Sequence, residues 1–157
     1  MLTEDLVGLL EKREFISVAT CDLKGRPNAA PKFVLKVDKE RIYLVDYIIG
    51  TTYDNLKINP RVSLSFLDPR TLNGYQLNGS VRIISKGSIF EKMRREMLEK
   101  EIRLTTKHII EDVRGESTHD AYEVTIAERY VVYIVTIDEV VEIGAKGDLK
   151  RKMKGAS

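Results

Sequence analysis

Apolar and polar residues alternate with period two through much of this chain. Val62, Leu64 and Phe66 fall on one side of an extended backbone while Ser63 and Ser65 fall on the other, the pattern of a half-buried strand. Tyr75 to Ser85 repeats it, with Tyr75, Leu77, Val81 and Ile83 opposed to Gln76, Asn78, Ser80 and Arg82. Strands are also predicted over Phe15 to Cys21, about Pro27 to Val37, and Ile42 to Tyr47. In the second of these, Phe33, Leu35 and Val37 share one face and Lys32, Val34 and Lys36 the other. Two late strands, Ala121 to Ile126 and Tyr130 to Ile137, are followed by an extension around Val140 to Ile143. Polar turns at Asp22 to Gly25, Asp38 to Glu40 and Asp68 to Gly74 punctuate the series.

The period changes in four places. Residues 3 to 13 read as a helix with Leu6, Leu9 and Leu10 on one face and Thr3 as its cap. A short helical turn, Tyr53 to Ile58, ends at Asn59-Pro60. Ser88 and Glu91 match a capping box that starts a helix with Phe90, Met93, Met97 and Leu98 inward. A separate short helix is predicted over Thr106 to Val113, before a loop from Arg114 to His119. The tail, 145–157, is basic, has little to bury and is predicted to be mobile.

About seven strands joined mostly by short turns predict a mainly β fold, an antiparallel barrel with flanking helices, whose closure protects the strand edges. Tyr130-Val131-Val132-Tyr133-Ile134-Val135 is apolar on both faces, yet a small barrel has one interior. The second face needs a cover: a partner subunit, favoured here, or a helix packed outside.

Composition narrows the class. The 157 residues make one domain the simplest division, and 43% hydrophobic with 32% charged is ordinary for a globular protein. Lys and Arg number 26 against 24 Asp and Glu, too even a balance to argue for nucleic acid. Lys92, Arg94 and Arg95 are interleaved with Glu91, Glu96, Glu99 and Glu101, which reads as a solvated, ion-paired helix face. No apolar run approaches the roughly 18–20 residues of a membrane span. The opening segment does not read as a signal peptide. Cys21 is the one cysteine, which excludes an internal disulfide and makes a reducing cytoplasm the expected compartment. One cysteine and two separated histidines, His108 and His119, form no metal cluster, and neither histidine neighbours a catalytic motif. Cys21 reads as a buried structural thiol, and Ser63 and Ser65 as small residues permitting close packing across an interface. No catalytic residue is assigned. Gly50-Thr51-Thr52 precedes the short helical turn and offers hydroxyls and free N–H groups suited to an anion, although a threonine there also serves simply as a helix cap.

The pieces FISVAT, DLKGRPNAAPKFVL, IYLVD, GTTYDNLKINPRVSLSF and GYQLNGSVRII, over residues 15 to 84, resemble the FMN-binding split-barrel family of pyridoxamine 5′-phosphate oxidase. NLKINPRVSLSF is the most diagnostic. The resemblance implies an FMN-binding split-barrel domain over 1–144, with a helical insertion at 85–114 and the basic tail beyond it. It implies a homodimer with FMN at the interface, and a small-molecule substrate or electron donor. Lys32 falls where the oxidases have a phosphate-binding arginine, and Phe33, Val34 and Leu35 become the strand beside the flavin ring. Val45 and Asp46 fall near the ring's polar edge, Gly50, Thr51 and Thr52 occupy the phosphate loop, and Gln76 and Asn78 reach the flavin from the neighbouring subunit. If Phe33 and Leu35 fill the barrel, the Lys32 ammonium points outward toward that groove.

Two departures bear on this. The oxidases carry Ser-Arg-Lys in the phosphate loop, where this chain has Gly50-Thr51-Thr52, so another cation such as Lys57 or Lys36, or one from the partner, must compensate. The Arg-rich substrate clamp of the oxidases is also absent, which argues against vitamin B6 oxidation. A flavin-dependent oxidoreductase is the expected activity. The alternatives are a deazaflavin-dependent reductase on the same fold and a non-catalytic flavin-binding or redox-sensing module.

Overall fold

The structure, a computed structural model, describes residues 1–47, 49–114 and 129–155, without the side chains of His108 and Asp112. Seven strands lie in one antiparallel sheet among these residues: β1 (Phe15–Cys21), β2 (Pro27–Val37), β3 (Arg41–Asp46), β4 (Arg61–Leu67), β5 (Gly74–Ile84), β6 (Val131–Ile143) and β7 (Leu149–Met153). Their order is β3-β2-β1-β4-β5-β6-β7, and β3 also pairs with β6. That pairing closes β1 to β6 into a six-stranded barrel and leaves β7 attached outside the closure. The antiparallel barrel expected from the alternation and short turns is therefore present.

Two compact units make up the chain, Met1–Ile84 with Tyr130–Ser157, and Ser85–Arg129. In the first unit the core is the barrel interior: Ile16, Val18, Val34, Leu44, Leu64, Leu77, Tyr133, Val135 and Ile137 form one cluster. Helix α1 (Glu4–Glu11) adds Leu6 and Leu10 to it, and α2 (Thr51–Ile58) adds Leu56. A fully buried leucine of this kind contributes about 1.5–3 kcal/mol. Thr3 caps α1 as its sequence position predicts, its Oγ1 accepting from the Leu6 N–H at 3.3 Å.

Several expectations are corrected. The alternation in β2 breaks at a β-bulge between Val34 and Lys36, one extra residue that shifts everything after it to the opposite face. Val37 therefore joins Val34 in the core cluster, while Lys36 lies outside with its ammonium over the Tyr43 ring. The second unit is built on α3 (Ser88–Val113), one continuous helix where two were predicted. Its first bonded turn runs from Glu91 N–H to the Gly87 carbonyl, so Ser88 is already inside the helix and is not its cap. Residues 149–153, expected to be mobile, form β7 and pair in register with Glu139 to Ile143 of β6. Cys21 is half-buried, its thiol directed to the Asp22 carbonyl. The predicted strand Ala121 to Ile126, most of the preceding loop and His119 lie outside the described residues.

Candidate functional site

A buried ion pair sits inside the barrel. Lys32 shares a face with Val34, and Asp46 shares one with Leu44, because Phe33 pairs with Val45 and Val34 with Leu44. Lys32 Nζ donates to Asp46 Oδ1 at 2.7 Å, and the Tyr133 hydroxyl donates to Asp46 Oδ2 at 2.7 Å. Lys32 is 7% exposed, Asp46 1% and Tyr133 0%. An unpaired ammonium would be costly there, and the carboxylate supplies both charge and acceptor. Burial, with the Asp46 carboxylate adding to it, pushes the Tyr133 phenol far above its ordinary value. The expected outward direction of Lys32 is thus reversed: Val34 and not Phe33 fills the barrel, and Lys32 goes with Val34.

The opposite surface of the wall, on β4 to β7, carries a row of polar side chains. Ser63 pairs with Asn78 and Ser65 with Gln76, and Asn78 in turn pairs with Glu139. Gln76 Nε2 donates to Ser63 Oγ and to Asn78 Oδ1, each at 3.2 Å. Asn78 Nδ2 donates to Glu139 Oε2 at 2.6 Å, and Arg151 on β7 donates to Glu139 Oε1 at 3.1 Å. The Asn78 amide first, with Arg151 beside it, holds the Glu139 carboxyl below the usual carboxylate value. The neighbouring outward positions are small: Ser17 and Ala19 on β1 pair with Ser65 and Ser63, and with Pro31 and Ala29 on β2. The result is an open floor of small residues edged by two amides and a carboxylate.

A third polar cluster joins β1 and β2 to α2. Asn28 Nδ2 donates to Thr52 Oγ1 at 3.0 Å and to Thr20 Oγ1 at 3.3 Å, and Asn55 Nδ2 donates to Thr20 Oγ1 at 3.1 Å. Thr52 is buried, whereas Thr51 is exposed and lines a shallow cleft with Arg26, Pro27 and Asn55. The cap position of α2 is Gly50, which has no side chain to offer, so neither threonine is the helix cap. Gly50 thus offers the N–H groups of the first turn no side-chain acceptor.

The structure thus divides the predicted residues. Lys32, Val34 and Asp46 gather in the barrel interior. Phe33 and Val45 pair with each other on the outward face, with Leu35 at the bulge, and all three are buried. Gln76 and Asn78 are hydrogen-bonded neighbours on the outward face of β5. Gly50, Thr51 and Thr52 belong to the α2 cluster. Neither proposed substitute cation is idle, since Lys57 pairs with Asp54 at 3.0 Å and lies over Tyr53, and Lys36 covers Tyr43. Tyr133, Glu139 and Asn28 escaped sequence reasoning. Tyr133 sits in an apolar run that reads as core, and Asn28 in a turn-like GRPNAAP stretch. Glu139 falls in the gap between the strand predicted to end at Ile137 and the extension predicted from about Val140, whereas β6 runs unbroken through it.

These features define a class: an antiparallel barrel of the split type with a polar outward face. The sequence profile of the family Pyridoxamine 5'-phosphate oxidase matches residues 2–133, and the chain belongs to that family. By sequence, no curated protein matches it. Among solved structures, HupZ of Group A Streptococcus superposes with a TM-score of 0.63 at 20% identity, over 92% of this chain and 96% of that one. A pyridoxamine 5'-phosphate oxidase-related, FMN binding protein of Nostoc punctiforme gives 0.53 at 10% identity, over 91% and 88%. An F420 reductase gives 0.56 at 19% identity, over 88% and 98%. At these identities the likeness is one of fold. No helix among the described residues is long and apolar enough to cross a membrane.

Proposed function

We propose that the chain is a homodimeric flavin-binding oxidoreductase that holds FMN between two barrels. The observation that carries this reading is the Ser63–Gln76–Asn78–Glu139 row edging a floor of Ser17, Ala19, Ser63 and Ser65. A flat floor of small side chains accommodates a planar ring, and amides at its edge suit a ring that presents both donors and acceptors. The donor set fits the ring better than the phosphate. In this reading Gln76 and Asn78 of one protomer meet the cofactor's polar edge across the interface. Phe33, Leu35 and Val45 stiffen the wall beside it. The exposed Thr51 hydroxyl and the N–H groups after Gly50 receive the phosphate, with Thr52 fixing the loop through Asn28. Lys32 serves by anchoring Asp46, and Val34 by filling the barrel between them.

When bound, the flavin supplies two-electron transfer of the hydride type. The chain's own part is to exclude water at the interface, to orient the ring through Gln76 and Asn78, and to keep Glu139 ionised beside it. The fold likeness to an F420 reductase supports a second reading, with a deazaflavin on the same surface. The half-buried single thiol supports a reducing, cytoplasmic setting.

Purification without added cofactor, followed by a visible spectrum and titration with FMN and with a deazaflavin, tests the reading. Yellow protein, or fluorescence quenching of added FMN at one equivalent per protomer, is expected, with a dimer by light scattering. Colourless monomer indifferent to both cofactors overturns it. Cofactor uptake without oxidation of a nicotinamide donor points to a flavin-binding module instead.

A further inference from the structure

A cleft of about 390 Å³ opens between the end of α1 and the loop from β4 to β5, lined by Leu9, Lys12, Arg13, Asp68, Pro69 and Arg70. Three of the six lining residues are cations and one is an acid. That acid is already engaged: Asp68 Oδ1 accepts from the Arg70 N–H at 3.0 Å and Oδ2 from the Thr71 hydroxyl at 2.9 Å. The Arg70 N–H bond holds its carboxyl below the ordinary value, so it stays charged and the cleft keeps an excess of two positive charges.

Arg13 is fixed in place. Its Nη2 donates to the Leu67 carbonyl, and its guanidinium lies 4.6 Å from the centre of the Phe66 ring. Its Nε is buried and has no hydrogen-bond partner among the described residues. Cations at the end of a helix are often explained by the helix dipole alone, and Lys12 at the C-cap of α1 fits that explanation. The dipole does not account for Arg70, which lines the same cleft from the loop after β4.

We propose that this cleft binds an oxyanion, a phosphate or carboxylate borne by a small molecule, held between Lys12, Arg13 and Arg70. Three cations from two elements lining one cleft supply the charge-assisted donors that an oxyanion takes. Leu9 and Pro69 cover the carbon skeleton attached to the anion. The volume is near the lower end of small-molecule sites, enough for a phosphate and a short substituent. The site stands on its own residues and does not depend on the flavin reading.

The test is an NMR titration of the labelled full chain with inorganic phosphate, against chloride at equal ionic strength. Amide shifts confined to Lys12, Arg13, Asp68 and Arg70, saturating with phosphate and absent with chloride, are expected. Lys12→Gln and Arg70→Gln, both exposed and outside the core, should each weaken phosphate about tenfold, the scale of one charge-assisted contact. The double variant should lose the response while keeping its melting temperature. Equal response to phosphate and chloride, or a double variant that titrates like the wild type, overturns the proposal. FMN and riboflavin then separate the sources of the anion. Selective weakening of FMN in the double variant identifies the cofactor's own phosphate as the occupant. Loss of the phosphate response with FMN binding unchanged identifies a separate molecule.

Discussion

Lys32 and Asp46 form a 2.7 Å ion pair inside the barrel, on adjacent strands and almost without solvent. Pairs of this kind add little net stability, because desolvation offsets most of the attraction, but removing one partner strands a buried charge. Asp46→Asn and Lys32→Met are each expected to cost about 3–5 kcal/mol. The double change, Lys32→Met with Asp46→Asn, should cost clearly less than the sum of the two single losses, because neither charge is then stranded. Urea unfolding of the four proteins checks it. Additive single losses would mean that the two side chains act independently.

Tyr133 makes the same centre sensitive to alkali. Its folded pKa is raised by burial and by the Asp46 hydrogen bond, so above about pH 10 the unfolded chain gives up this proton while the folded chain keeps it. The stability tied to Tyr133 is therefore complete below pH 10 and falls as pH rises further, by up to about 1.4 kcal/mol per pH unit. Tyr133→Phe leaves Asp46 Oδ2 without this donor and should cost about 1–3 kcal/mol at neutral pH. The variant's stability should also decline less steeply above pH 10. A parallel alkaline limb in both proteins would contradict this.

How far the sequence discloses these features depends on whether burial leaves a trace. In β5 the alternation runs unbroken at Gln76, Leu77 and Asn78, so the facing of both amides is legible. In β2 the single extra residue at the bulge reverses the pattern, and Lys32 is misread as facing outward. Period-two reasoning has no way to see one inserted residue when both faces are apolar. Strand β7 left no trace at all: Leu149 to Met153 are all exposed and are ordered by main-chain pairing to β6, which hydropathy does not record. A second helix is expected to begin at Thr106, but α3 runs through that position, with Thr106 Oγ1 bonded back to the Ile102 carbonyl.

Gly79 lies at the bulge between β5 and β6, and a Cβ on it would fall well inside contact distance of the Thr136 carbonyl. Because the obstacle is backbone, it cannot rotate away. Gly79→Ala should destabilise by about 3 kcal/mol, at the upper end of ordinary overpacking. Leu72 offers the opposite case. It is exposed and holds φ at 61°, in the left-handed region that side chains rarely occupy. Leu72→Gly relieves about 1–2 kcal/mol of strain against about 0.5–1 kcal/mol of added chain entropy, for a small net gain. Thermal melts should move in opposite directions for the two variants.

Asn78 is where stability and the proposed function separate most cleanly. Its amide both accepts from Gln76 and donates to Glu139, so Asn78→Ala leaves the Gln76 amide held by Ser63 and removes the main cause of the low Glu139 pKa. A carboxylate with a depressed folded pKa stabilises the fold above about pH 4.5, its unfolded value, and that contribution is lost as pH falls through the folded value. The alanine variant should consequently lose less stability on acidification than the wild type. If the amide row edges the flavin ring, the same variant should bind FMN about tenfold more weakly, the effect of one lost oriented contact. Fluorescence-quenching titrations at pH 7 read the affinity, and melts between pH 3 and 7 read the carboxylate. A changed acid limb with unchanged FMN affinity would leave the hydrogen-bond chain intact as structure and remove it from the cofactor site.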